Sequence, residues 1–227
     1  MTDRHEHFKI KIAVSGAAKT DHLPEEAVTM AEEVGREIVR QGAVVVTGAT
    51  TGIPFWAAKG AKEEGGMSIG ISPAATEREH VEKWALPIDY MDVIIYTGQG
   101  YSGRDILMTR TADAVIICAG RIGTIHEFTV AFEDNKPMGI LTGPWHTDDD
   151  LKTLIANSNR AADDPYIVFE SDPKILIAKV IAMVSKNKIE YYKTAKTDGS
   201  MGRLCEGPDC LPAPKPEKSR YVPKDSN

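Results

Sequence analysis

Short apolar runs recur along the chain, at residues 8–14, 43–46, 67–71, 93–96, 114–118, 138–141 and 167–169. Those at 43–46 and 114–118 contain no polar residue, the pattern of a strand covered on both faces. Between the runs the apolar period lengthens to that of a helix. Residues 24–41 place Ala27, Met30, Ala31, Val34, Ile38 and Val39 on one face. Pro24 suits the first turn, Glu25 and Glu26 complement the dipole, and Gly42 ends the pattern. A second helix spans about 54–64 and stops at Gly65-Gly66. Further helices carry Arg104, open at Thr124 to begin near Ile125, cover 147–156, and run from Asp172-Pro173 to about Ser185. Residues 72–87 are more polar and aperiodic, and read as a surface excursion.

Strand and helix alternate throughout. With the right-handed crossover rule this predicts an α/β fold: a three-layer, doubly wound, mostly parallel sheet of Rossmann-like type, in a single domain over residues 1–195. Ligands of such a sheet bind at the carboxyl ends of its strands. Residues 196–227 shift to Gly, Pro, Lys, Ser and Asp, the composition of an unfolded tail.

Three of the predicted strands end in turns of small residues. The first is followed by Ser15-Gly16-Ala17-Ala18, the second by a turn holding Gly48 and Gly52, and the fifth by Gly120-Arg121-Ile122-Gly123-Thr124. Such turns let backbone approach a ligand, and the unpaired first N–H groups of a following helix favour an anion. One such turn can be a plain βα connection; three at one sheet edge point to a phosphate or ligand site. Arg104 and Glu127 bracket it. Arg104 with backbone amides can hold a monophosphate, and Glu127 can stabilise a cationic sugar centre or direct a water towards it, an apparatus suited to cleaving a ribosyl bond. Two plainer roles stay open: a first-turn carboxylate serving the helix dipole for Glu127, and a surface or interface ion pair for Arg104. His126 reads as packing or meeting solvent rather than acting as a base, and Asp21 and His22 as loop residues.

Composition narrows the field. The chain has 227 residues, 42% hydrophobic and 26% charged, which suits one soluble globular domain. A formal charge of -6 argues against broad binding to nucleic acid or an anionic membrane, while permitting a local positive pocket. No apolar run reaches membrane-spanning length and no signal peptide opens the sequence, so the expected location is cytoplasmic. Cys118 reads as a small buried hydrophobe. Cys205 and Cys210 lack the partners of a metal site, and no metal is expected. The first turn, S-G-A-A-K, is not a dinucleotide fingerprint, and there is no Walker loop, G-x-S-x-G elbow or H-E-x-x-H.

Three segments, 44–73, 102–120 and 120–128, carry a family resemblance. VVVTGATTGIPFWAAKGAKEEGGMSIGISP, SGRDILMTRTADAVIICAG and GRIGTIHEF resemble the LOG-type Rossmann-like proteins, formerly labelled lysine decarboxylase-like. The LOG signature pairs an M-x-x-R-K helix start with a P-G-G-x-G-T-x-x-E turn, and without gaps these lie over 101–105 and 119–127. The resemblance implies Arg104 and Glu127 as the catalytic pair, with Gly120, Gly123 and Thr124 at a nucleoside 5′-phosphate. It further implies hydrolysis of the N-glycosidic bond without metal or organic cofactor, in a homodimer or higher homo-oligomer. The chain departs from the motif at Tyr101 for Met, Asp105 for Lys, Ala119 for Pro and Arg121 for Gly. Arg121 can clamp phosphate or fill the pocket. The G-R-D start is similar to the G-R-N of a branch close to the molybdenum-cofactor carrier proteins, which bind a phosphate-bearing pterin. A non-catalytic nucleotide or cofactor carrier is therefore the alternative reading.

Overall fold

Seven strands, β1 (Lys11–Ser15), β2 (Val44–Thr47), β3 (Ser68–Ser72), β4 (Val93–Tyr96), β5 (Ala114–Ile117), β6 (Met138–Leu141) and β7 (Ile167–Glu170), form one sheet. The computed structural model describes residues 9–158 and 165–197. Every pairing is parallel, in the order β4-β3-β2-β1-β5-β6-β7. The order reverses beside β1, where the chain leaves one half of the sheet and starts the other. That switch point opens a crevice above the carboxyl ends of β1, β2 and β5.

Helices α1 (Glu25–Arg40), α2 (Ile53–Glu63), α3 (Gly100–Thr111), α4 (Ile122–Glu133), α5 (Thr147–Asn157) and α6 (Pro173–Thr197) cover both faces. One core joins Ile12, Val14 and Val45 of the sheet to Ala31 and Val34 of α1, Ile53 and Ala57 of α2, and Leu176 and Val180 of α6. The other joins Ala13, Val46, Val115 and Ile117 to Met108 of α3, Phe128 of α4 and Leu151 of α5. Alternate strand residues thus serve opposite cores, which is why the central strands read as unbroken apolar runs. Cys118 lies buried at the end of β5, where burial pushes its thiol up to about 12 and leaves it a small apolar filler.

The chain divides into two units, Met1–Val184 and Ser185–Asn227. The first holds the whole sheet. Of the second, only the continuation of α6 to Thr197 is described. The helix expected to end near Ser185 therefore runs twelve residues further and includes Lys196 and Thr197. Its polar residues carry no apolar period, yet Lys, Glu and Ala are good helix formers. The rest of the expected tail, with Cys205 and Cys210, lies outside the described residues.

Residues 72–87 differ from a plain surface excursion. They contain a short π-helical turn, Glu79–Lys83, anchored by a fully buried His80. The Ser72 hydroxyl accepts from the Ala74 N–H and donates to His80 Nδ1 at 2.8 Å, and Nε2–H donates to the Pro87 carbonyl at 2.9 Å. β4 is the sheet edge, which leaves Val93 and Ile95 exposed. No helix among the described residues is long and apolar enough to cross a membrane.

Candidate functional site

A cavity of about 230 Å³ lies in the crevice at the switch point. The turn after β1 contributes Gly16, Ala17 and Ala18, and the turn after β2 contributes Gly48 and Thr50. Tyr101, Arg104 and Asp105 enter from α3, and Arg121, Gly123, Thr124 and Glu127 from the start of α4. Of the residues expected at the site, Arg104, Glu127, Gly16, Gly48, Arg121, Gly123 and Thr124 line one cavity. Gly52, Gly120 and Ile122 stand behind or outside it.

The glycines explain how these turns come so close. Gly52 takes a φ of 74° and sits 2.1 Å, measured from a built β-carbon, from the Ala17 carbonyl. Any side chain there would push the first and second turns apart, and the Ile53 N–H donation to that same carbonyl at 2.9 Å would be lost. Gly16 is similarly pressed against Ile53. The third turn is tied to the first by the Ala17 N–H donating to the Ala119 carbonyl at 2.8 Å.

Helix α4 starts at Ile122, three residues earlier than its sequence suggests. Arg121 is extended and supplies no side-chain cap, so Gly123 and Thr124 belong to the first turn itself. The early N–H groups of the helix therefore have no partner within it, and face the crevice end of the sheet. Gly120 is different. Its N–H donates to Thr147 Oγ1 at 2.8 Å, and that hydroxyl donates back to the Gly120 carbonyl at 2.9 Å. Ile122 points away and is 80% exposed. Arg121 is exposed while lining the cavity, which puts it at the mouth rather than inside.

Three charged side chains are buried together on the cavity wall: Arg104, Asp105 and Glu127. Arg104 Nη1 lies 3.8 Å from Glu127 Oε1, and its Nε lies 3.3 Å from Asp105 Oδ1. The second approach is poorly directed, so Nε–H makes no hydrogen bond although buried. A buried guanidinium donor left over in a cavity wall is a group awaiting a partner. The Ser15 hydroxyl donates to Glu127 Oε2, and His126 Nδ1–H donates to Asp105 Oδ2 at 3.0 Å. Burial pushes the Glu127 carboxyl well above the ordinary carboxylate range; Arg104 pulls it back, and the charge and hydrogen bonding of Asp105 push it further up.

Sequence reasoning missed Ser15, Asp105 and His126 as members of this cluster. Asp105 stood out only as a departure from a motif, and His126 was expected to pack or meet solvent. Ser15 and Glu127 are 112 residues apart and meet only through the β1–β5 pairing. No group of three or more His, Cys, Asp or Glu residues suited to a metal ion occurs among the described residues.

A Rossmann-like parallel sheet with small-residue turns converging at its switch point defines the class. The family model described as "SLOG cluster4 family" matches residues 9–176, and the chain belongs to that family. An uncharacterized protein of Archaeoglobus fulgidus is 33% identical over 135 residues, 60% of this chain and 82% of the relative. The molybdenum cofactor carrier protein of Chlamydomonas reinhardtii is similar in structure, with 28% identity and a TM-score of 0.63, covering 78% of this chain and 99% of that one. The molybdenum cofactor binding protein of the phototrophic bacterium Rippkaea orientalis follows at 25% identity and a TM-score of 0.59, covering 78% and 96%.

Proposed function

We propose that the cavity binds a nucleoside 5′-monophosphate and that the protein hydrolyses its N-glycosidic bond. What carries this reading is the placement of Arg104 and Glu127, both buried and 3.8 Å apart in a cavity at whose mouth α4 begins. The phosphate would lie against the early amides of α4, near Gly123, Thr124 and Arg121. The ribose would then face the carboxyl of Glu127. In the reaction the electron pair of the C1′–N bond leaves with the base, the oxygen of water bonds to C1′, and one water proton ends on the base. Positive charge on the sugar ring in the transition state is favoured by a carboxylate beside it. A volume of 230 Å³ falls below the roughly 300–1,000 Å³ common for ligand pockets, which suits a small guest such as a phosphorylated ribose. A homodimer or higher homo-oligomer belongs to this reading, and light scattering of the purified protein tests it.

The second reading is a carrier of a nucleotide or a phosphate-bearing pterin. It is favoured by the two molybdenum-cofactor proteins above, almost the whole of whose chains align with this one. A carrier needs the anion-facing turns and makes no demand on Glu127. Incubation with a panel of nucleoside 5′-monophosphates, with free base measured by chromatography, separates the two. Release that disappears in Glu127→Gln supports the hydrolase. Silence from a folded protein that still binds nucleotide supports the carrier.

A further inference from the structure

Two carboxyl side chains are buried beside a single guanidinium in this cavity. Arg104 reaches both, at 3.3 Å to Asp105 and 3.8 Å to Glu127, which gathers the two carboxyls about one guanidinium, and the charge and hydrogen bonding of Asp105 are among the causes that raise the Glu127 carboxyl. One positive charge balances one carboxylate. A second ionised carboxylate at this burial would be uncompensated, and a proton held between the two removes that cost. The remaining neighbours fix the order of the chain. Glu127 meets Ser15 from β1 and Arg104 and Asp105 from α3, and Asp105 meets His126 from α4. Arg121 shares the cavity from its mouth. His126 and Arg104 approach different oxygens of Asp105, so that both press on it from the donor side.

We propose that Asp105 is a positioning residue for Glu127: the two carboxyls share one proton, Glu127 carries it and Asp105 accepts it, with His126 donating to Asp105 from the far side. The LOG motif has a lysine where Asp105 stands, so the pairing is a property of this chain's own residues. Its catalytic consequence rests on the hydrolase reading above. A neutral Glu127 can give its proton to a departing base; the resulting carboxylate then stands beside the cationic sugar and takes back a proton from the water whose oxygen bonds to C1′, so that the net proton on the base comes from water.

The test reads the proton and not the reaction. Difference infrared spectroscopy of the full chain follows the C=O band of a protonated carboxyl from pH 5 to pH 10. Ordinary exposed carboxylates are already ionised by about pH 6, which isolates a buried one. The wild-type band is expected to persist through neutral pH and to be absent in Glu127→Gln. In Asp105→Asn, close in shape, its midpoint should fall by about one pH unit or more, since the like charge is gone and Arg104 remains. In His126→Ala it should rise, because Asp105 loses a competing donor and holds the shared proton more firmly. An unchanged midpoint in Asp105→Asn overturns the sharing, and a fall in His126→Ala overturns the assigned order. Thermal melts confirm that each variant is folded. If no nucleotide is cleaved by the wild type the hydrolase reading fails, while the infrared shifts still decide the pairing.

Discussion

Gly48 and Arg104 occupy complementary space: a β-carbon on Gly48 would lie 1.3 Å from Arg104 Nη1. The guanidinium fills the volume that any other residue at 48 would need. Gly48→Ala is therefore expected to displace Arg104 and to match Arg104→Ala in lost nucleotide binding or base release. The added methyl should cost about 1–3 kcal/mol of stability. Parallel titration of the two variants with nucleotide, with a denaturant curve for each, checks this. Full binding in Gly48→Ala would mean that the guanidinium finds an equivalent seat.

The raised Glu127 carboxyl gives stability a pH dependence of known sign. The folded protein holds this proton up to about 8, whereas the unfolded chain releases it near 4.5. Between those values the native state binds the extra proton, so the contribution is whole below pH 4.5 and declines as pH rises towards 8. Glu127→Gln removes that slope. The wild-type Tm, referred to the variant at each pH, should fall across the window and level off above it.

Arg121 is exposed at the cavity mouth, and on the proposed reading it is expected to meet an anion rather than to fill the space. Arg121→Gly should weaken binding of inorganic phosphate and of nucleotide, and should lessen the salt dependence of binding, as loss of an exposed cation does. Calorimetric titration at two ionic strengths reads both effects. Higher activity in the variant would show instead that the side chain obstructs entry.

His80 ties residues 72–87 to the sheet through two hydrogen bonds in a fully buried setting. His80→Ala leaves a hydroxyl and a carbonyl with fewer partners and opens a cavity, for a loss of about 2–4 kcal/mol. Equilibrium unfolding measures the loss. Cleavage by a protease within 73–91 at concentrations that spare the wild type would place the loosening in this segment.

Much of the architecture was legible because buried parallel strands write themselves as apolar runs. The bounds of β4 and β6 match the runs at 93–96 and 138–141, and the alternation with helices leads to the doubly wound sheet. Local pattern served less well where tertiary partners decide. Gly120 to Thr124 reads as one turn, but Arg121 is extended and the helix begins directly after it. His80 sits in a polar stretch, and its burial is set by Ser72 and Pro87. That Arg104 and Glu127 bracket one site was expected from the turns they flank, and a family resemblance implied that they act as a pair. That Asp105, His126 and Ser15 join them follows from α3, α4 and β1 meeting over the same strand ends, which no local spacing reports.

The Thr147 hydroxyl holds both backbone groups of Gly120, and this changes which atoms remain for a guest. The resemblance places Gly120 at a phosphate, but its amide already faces inward, to α5. An anion at the mouth must be counted from the next free amides along, so its seat shifts towards Arg121 and the open side. The Gly120 amide is thus held by α5, a helix that contributes no residue to the cavity lining. On the phosphate reading, exchange of the Thr147 hydroxyl would free the Gly120 donor for an anion, so that a residue outside the cavity governs which amides face a guest.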